Sequence, residues 1–453
     1  MSRAVIKFGG SDLKSTNDVQ RIIQILHTYN KPVAVVFSAF YGITDMLIKA
    51  LEEAEKGLLD TDKLMATIAE LKQGTINDNI SNKEEALEAQ SKTMVLIEEL
   101  KEYLQAVSYV HDVPRPSRAR ILSYGERLSA LCLSLIFKSN GLDAVMTLPE
   151  DLKLITDGEF SNATVDFVRS NVKNNMPENK VVVIPGYYGV STEGKTTLLG
   201  RGGSDYAAAA IAYCLDAPSL DLWKDVKGFM SGDPKLVDNP QVVKQLAYNE
   251  AAELSYFGAK ILHPRTVEPL KIKDIPIHLY SINGNLEELK PSTIISQKTD
   301  DSKVVKSVTY TNSFGVLKLK GSGLGIRPGV LADVTNLLHI NDININSVLT
   351  SQIAINIILN KCDLEKAKNL VEQLNVPVME EIDTWSNIAL VAVVGDTIMK
   401  NYGISSRIFS SLANEKINVK MNCTGASPIV NYFIVHEDDM NRTIKAVHRE
   451  LFN

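Results

Sequence analysis

Two segments carry residue types that could do chemistry on a phosphate. Lys7-Phe8-Gly9-Gly10-Ser11 puts a lysine inside an apolar run and follows it with two glycines. Glycines let backbone N–H groups approach phosphate oxygens closely, and a lysine among apolar neighbours is costly unless something answers its charge. Gly200-Arg201-Gly202-Gly203-Ser204-Asp205 leads into the alanine-rich stretch 206–212. Glycine, serine and a helix N-terminus together make an anion site, and Arg201 can clamp a carboxylate with two parallel hydrogen bonds. Two weaker pieces accompany them. Ser38-Ala39 with Gly42-Ile43-Thr44-Asp45 is a hydroxyl-rich turn that could equally be a helix cap. Tyr124-Gly125-Glu126-Arg127-Leu128-Ser129 places an acid and a base at an expected helix start.

A more familiar pattern fails on context. Gly189 to Thr196 fits G-x-x-x-x-G-K-[ST] letter for letter. A working phosphate loop needs a helix beginning at its lysine. Here Lys195 is followed by Thr-Thr-Leu-Leu and then by Gly200, Gly202 and Gly203, which would break such a helix. A hairpin turn is the expected structure.

The elements that must position these residues alternate β and α. Residues 4–8, 33–37, 181–184, 219–223 and 277–280 read as buried strands, and 19–29 and 45–55 as helices. Continuous apolar runs without alternation indicate a parallel sheet covered on both faces. The stretch 61–108 predicts a helical hairpin. The α/β domain is expected over 1–290, with a polar linker at 291–306. Beyond it lies an internal repeat. Gly329 and Gly403, and Ile343-Asn344-Ile345 and Ile417-Asn418-Val419, recur 74 positions apart. Two copies of strand, glycine-led helix, strand, strand, helix predict paired α+β modules at 307–384 and 385–453.

The formal net charge is -6, with no lysine/arginine block, so a nucleic-acid binder is not expected. Cys132, Cys214, Cys362 and Cys423 form no C-x-x-C pair, which argues against a zinc site or a disulfide framework. Neither a signal segment nor an eighteen-residue apolar span is visible, so a cytoplasmic protein without membrane contact is expected.

Taken in order, Lys7-Phe8-Gly9-Gly10, Ser38-Ala39 with Gly42-Ile43-Thr44-Asp45, Ser123 to Ser129, Gly200 to Asp205 and Phe257 to Pro264 resemble the motifs of the aspartate kinases. The paired C-terminal modules look like that family's ACT domains, and the resemblance spans essentially the whole chain. It implies a three-layer amino-acid-kinase sandwich followed by two ferredoxin-like ACT modules. It also implies ATP-dependent phosphorylation of the side-chain carboxylate of L-aspartate, feeding lysine, threonine and methionine synthesis. Lys7 would neutralise the transferring phosphoryl group and Asp205 would orient it. Ser38, Thr44, Glu126, Arg201, Gly202, Gly203 and Ser204 would line the substrate site, Glu126 meeting the ammonium and Arg201 the α-carboxylate. The nucleotide would lie against Lys7, Phe8, Gly9, Gly10, Lys224, Asp225, Met230, Lys235 and Lys260. Magnesium would arrive with ATP, since no acidic cluster suggests a protein-caged metal.

Departures from the family pattern fall at Asp12, Lys224, Lys227 and Lys235. Asp12 adds a negative charge near the phosphate loop and is expected to weaken ATP affinity modestly. A regulatory amino acid is expected at Gly329, Val330, Leu331, Asn346, Ser351 and Gln352, where ACT modules of two chains would pair in a homodimer. Lysine-sensing relatives often carry acidic residues where this chain has Asn346 and Gln352, so threonine, or no effector at all, is favoured over lysine. No second catalytic domain is expected after the modules. Two other functions compete: a sister kinase acting on another amino acid, and a silent amino-acid-binding regulator on the same scaffold.

Overall fold

The computed structural model describes residues 3–29, 32–259, 261–286, 289–298, 303–374 and 376–452. The chain divides into two compact units. The first comprises Met1–Phe229, Val242–Ser255 and Lys260–Asp300; the second comprises Met230–Gln241, Tyr256–Ala259 and Asp301–Asn453.

In the first unit the elements run β1 (Ala4–Phe8), α1 (Thr16–Thr28), β2 (Val33–Phe37), α2 (Ile43–Glu55), α3 (Thr61–Asn79), α4 (Lys83–Val110) and α5 (Arg115–Ser139). After β3 (Ala144–Met146) come two single-turn helices, α6 (Pro149–Leu152) and α7 (Val172–Asn175). The chain continues through β4 (Val181–Pro185), β5 (Tyr188–Val190), β6 (Thr196–Leu198), α8 (Gly203–Leu215) and β7 (Leu220–Lys224). It closes with β8 (Gln245–Ala247), α9 (Tyr248–Tyr256), α10 (Pro264–Ile272), β9 (Ile277–Ser281) and β10 (Thr293–Ser296). Eight strands form one sheet in the order β3-β4-β2-β1-β7-β9-β10-β8, parallel throughout except that β10 runs antiparallel to β9. The expected buried strands therefore form, and α3 and α4 make the expected hairpin.

Alternation along β1 divides its side chains between two faces. Ile6 and Phe8 join the core made with α1 and α5, where Phe8 stacks on Phe37 at 5.5 Å and on Trp223 at 6.1 Å. Lys7 projects from the opposite face, against which α8 packs. This separates Phe8 from the expected nucleotide residues, since its fully buried side chain belongs to the core. The segment resembling a phosphate loop is the antiparallel β5–β6 hairpin, closed by a turn in which Gly194 donates to the Ser191 carbonyl. Thr293–Ser296, within the stretch expected as linker, is instead a strand of the large sheet; its Thr293 and Ile295 are buried between less buried neighbours.

The second unit contains β11 (Ser307–Thr311), β12 (Phe314–Lys320), α11 (Val330–Ile340), β13 (Ile345–Thr350), β14 (Ala354–Asn360), α12 (Leu364–Gln373) and β15 (Glu381–Trp385). These are followed by β16 (Ile388–Val394), α13 (Ile404–Asn414), β17 (Met421–Ser427), β18 (Val430–His436) and α14 (Met440–Phe452). Gly329 and Gly403, both left-handed, start α11 and α13 as the repeat predicts. The two four-stranded sheets are β13-β14-β12-β15 and β11-β16-β18-β17. A boundary at 307 therefore misplaces β11. This strand precedes the first module in the chain but pairs antiparallel with β16 of the second, so the first module is an insertion within the second. Segments 230–241 and 256–259 join this unit too: Ser307 donates to the Met230 carbonyl at 2.7 Å, and Val308 to the Ser231 carbonyl at 2.9 Å.

One close approach in the first unit is testable. A β-carbon on Gly186, just past β4, would lie 2.7 Å from Ser204 Cβ in the first turn of α8. Gly186→Ala should push α8 outward at a cost of about 1–3 kcal/mol, read as a lower melting temperature by circular dichroism; an unchanged melt would contradict this packing.

Candidate functional site

Lys7 and Asp205 meet because β1 and α8 pack face to face. Lys7 Nζ lies 2.6 Å from Asp205 Oδ1, with both side chains less than 10 % exposed. Parallel pairing sets Lys7 opposite Leu222 on β7 and brings the end of that strand alongside. Lys224 Nζ then reaches Asp205 Oδ2 at 2.9 Å. Burial opposes ionisation of Asp205, yet the Lys224 and Lys7 ammonium groups hold it well below the ordinary carboxylate range. Burial also pulls Lys7 down, with Asp205 countering. Two cations share one anion, so a net positive charge sits beside the N-terminus of α8, which left-handed Gly202 introduces. The ends of parallel strands and the start of a helix converge on a position suited to an anion.

The turn after β1 differs from the expectation in its details. Asp12 is 1 % exposed, and its Oδ2 accepts the Gly9 N–H at 2.8 Å. Burial pushes its pKa up to about 6, against the pull of the Gly9 N–H and Lys7. The Gly9 N–H is thus occupied by the chain's own carboxylate, while Gly10 and Ser11 face an adjoining cavity.

That cavity, of about 640 Å³, brings together Lys7, Gly10, Ser38, Thr44, Glu126, Arg201, Gly202, Gly203, Ser204 and Asp205. Glu126 lies in the middle of α5, eleven residues past its start, not at a helix start. The helix begins at Arg115 because Pro114 and Pro116 set its first turn. No helix dipole therefore supports Glu126. Gly125 explains how it gets there, since a β-carbon would come within 3.0 Å of Ala39 Cβ; without one, α5 lies directly against the Ser38–Thr44 turn. Glu126 is 3 % exposed and burial pushes its pKa up to about 8, countered by the Ala39 N–H, Lys7 and Ser204. Its Oε2 has no hydrogen-bond partner. A buried carboxyl with one unanswered oxygen on a cavity wall is suited to a cationic ligand group. Arg201 is exposed at the same cavity, free to meet an anion.

Other walls were not anticipated. Ser161 and Tyr187 line the cavity, and Tyr187 adopts φ 70°. Arg265 gathers the loops behind it, donating to Asn162 Oδ1 at 2.6 Å, the Leu199 carbonyl at 2.9 Å and the Ala163 carbonyl at 2.7 Å. Its position after His263-Pro264 gave no hint of these three partners. Of the remaining nucleotide candidates, Asp225 is exposed just beyond β7, whereas Met230 and Lys235 belong to the second unit. Lys260 lies outside the described residues. Among the described residues, no group of three or more His, Cys, Asp or Glu side chains could hold a metal ion, and no helix is long and apolar enough to cross a membrane.

The expected effector residues gather less tightly. Gly329 caps α11, Val330 is buried beneath it and Leu331 is exposed. Ser351 and Gln352 form the exposed β13–β14 turn, where the Gln352 carbonyl accepts the Gly325 N–H at 3.0 Å. Asn346 Nδ2 is already engaged, donating to Tyr256 Oη at 3.0 Å. A second cavity, of about 760 Å³, is lined by Lys318, Lys320, Trp385 and Lys420; of the effector candidates only Ser351 touches it.

Known proteins share this architecture. The solved structure of Escherichia coli aspartokinase III in complex with aspartate and ADP (R-state) superimposes with a TM-score of 0.83 at 26% identity, covering 99% of this chain and 100% of that one. The lysine-sensitive aspartokinase 3 of Escherichia coli is 27% identical over the full length of both. The bifunctional aspartokinase/homoserine dehydrogenases of Buchnera aphidicola and Haemophilus influenzae are each 29% identical over 99% of this chain, which spans 56% of their length. An ACT domain matches residues 391–451. The amino acid kinase family matches residues 2–281, which hold every wall of the first cavity, and the chain belongs to that family.

Proposed function

We propose that this chain transfers the γ-phosphoryl group of ATP to the side-chain carboxylate of L-aspartate, giving 4-phospho-L-aspartate and ADP. The observation that carries the reading is the Lys7–Asp205–Lys224 cluster opening onto the cavity that holds Glu126 and Arg201. The relatives named above, aspartokinases among them, support the choice of substrate.

The bond from the γ-phosphorus to the bridging oxygen of ADP breaks as a carboxylate oxygen bonds to phosphorus. The nucleophile is already an anion, so no proton need be removed and no general base is required. Catalysis then rests on positioning and on charge stabilisation. Glu126 takes the α-ammonium and Arg201 the α-carboxylate, while Ser38, Thr44 and Ser204 border the pocket between them. Lys7 meets the transferring phosphoryl group, and Asp205 holds Lys7 and Lys224 in place. Gly9 and Gly10, with Lys224 and Asp225, are proposed for the nucleotide, Gly9 through backbone only after Asp12 releases its N–H. Magnesium would be held by the nucleotide's phosphates; Asp205 is already committed to two ammonium groups and Asp12 to the Gly9 N–H.

A regulatory amino acid is proposed at Gly329, Val330, Leu331, Asn346, Ser351 and Gln352, with pairing of two chains through the same module. What supports the pairing is the place of β13 at the edge of its sheet. Asn346 gives its Nδ2 to Tyr256 Oη, while its buried Oδ1 has no hydrogen-bond partner and is left to accept from a donor group of the effector.

Purified protein with L-aspartate, Mg-ATP and hydroxylamine should yield a hydroxamate, and Lys7→Ala should lower the rate about 10²–10³-fold. Product only with another amino acid would move the substrate to a sister acid. Silence with every acid, despite amino-acid binding, would make the protein a regulator.

Glu126 gives the reaction a pH signature. With its pKa raised to about 8, the free carboxyl is mostly protonated at neutral pH, and an ammonium ligand selects the ionised form. Aspartate binding should therefore release a proton near pH 7, and its KM should fall by up to about tenfold per pH unit as pH rises towards 8. Calorimetry in buffers of different ionisation enthalpy should register that proton, and Glu126→Gln should abolish the release.

A further inference from the structure

The inner stripe of α3 has one member that does not belong to a core. Met65, Ile68, Ile76 and Asn79 are buried at helical spacing, and Lys72 sits among them, 1 % exposed. Its Nζ has no hydrogen-bond partner. A buried ammonium without hydrogen bonds is costly, and the group that answers it is an aromatic face. Nζ lies 3.6 Å from the centroid of the Phe40 ring, well inside the range of a cation–π contact, which is strongest when shielded from water.

Phe40 is no ordinary core residue. It lines the catalytic cavity, on the turn that carries Ser38 and Thr44. Its N–H donates to Ser129 Oγ on α5 at 2.9 Å. The N–H of the preceding residue, Ala39, favours the ionised form of the Glu126 carboxyl. The turn is therefore held by α5 through its backbone and by α3 through the Phe40 ring.

We infer that Lys72 is a positioning residue for the amino-acid substrate: its ammonium fixes the Phe40 ring and thereby the cavity wall beside Glu126. This rests on the substrate reading proposed above. Lys72 also feels Glu126 electrostatically. Burial draws its own pKa down to about 8, with Cys132 and Glu126 opposing the fall. The α3–α4 hairpin, which carries none of the expected site residues, thus acquires a function in the site.

The test is a double-mutant cycle in the hydroxamate assay with Lys72→Met, Phe40→Leu and the pair. Methionine keeps the length and removes the charge, so Lys72→Met should melt at or above the wild-type temperature. Its KM for aspartate should nevertheless rise about tenfold, with the KM for ATP within about twofold of wild type. Phe40→Leu should raise the aspartate KM similarly, and the pair should be no worse than the poorer single variant. An unchanged aspartate KM in Lys72→Met, or losses that simply add, would overturn the assignment. Should Lys72→Met not fold, Lys72→Leu takes its place in the cycle with the same expected and overturning outcomes, and an unchanged aspartate KM in Phe40→Leu overturns the assignment by itself. A wild type without aspartate-dependent product would overturn the substrate reading and this inference together, whereas an active wild type beside an unaffected Lys72→Met removes only the inference.

Discussion

One carboxylate shared by two ammonium groups, Lys7 buried and Lys224 partly buried, holds the first unit's chemistry together. Asp205 can satisfy Lys7 and Lys224 only if the first turn of α8 abuts the ends of β1 and β7. That placement fixes the turn before α8, and with it Gly202 and Arg201 at the cavity. It also leaves one positive charge unanswered in a poorly hydrated place. Removing Asp205 would strand two cations, a loss of about 3–5 kcal/mol for an uncompensated buried charge. The same geometry that makes the cluster costly without its centre makes it attractive to a phosphate.

Glu126 poses the opposite problem. A carboxyl buried with one oxygen unpartnered prefers its proton. Its folded pKa is raised, so its favourable contribution to stability is complete in acid and is lost as pH rises from about 4.5 towards 8. A ligand cation reverses that balance. The cavity is therefore polarised between a basic end at Lys7 and an acidic, partly protonated wall at Glu126, which suits a molecule bearing both an ammonium and carboxylates.

Much of this was legible in the sequence where a local rule and the tertiary context agree. The apolar runs became strands of a parallel sheet, the glycines at a 74-residue interval became helix starts, and Lys7 met the acid of the glycine-rich segment. The failures have physical reasons. Phe8 adjoins Lys7 in sequence, but a period of two sends neighbours to opposite faces of a sheet. Gly125-Glu126 looks like a helix start only if the earlier prolines are overlooked. The three carbonyls gathered by Arg265 come from loops roughly 60 to 100 residues away in sequence, and no pattern in a single chain reports such a meeting. Lys72 reads as a flaw in an amphipathic stripe until Phe40 is seen above it.

The route of β11 bears on how the second unit comes into being. This strand leaves the ribosome before any part of the inserted module, yet its partner β16 emerges only after that module is complete. The inserted module can close its own four-stranded sheet from β12 to β15 while the chain is still growing. The outer module cannot; its first strand must wait, unpaired, for most of a domain to be made. Folding of this half is therefore ordered from the inside out, and no single cut of the chain separates the outer module, with all four of its strands, from the inserted one.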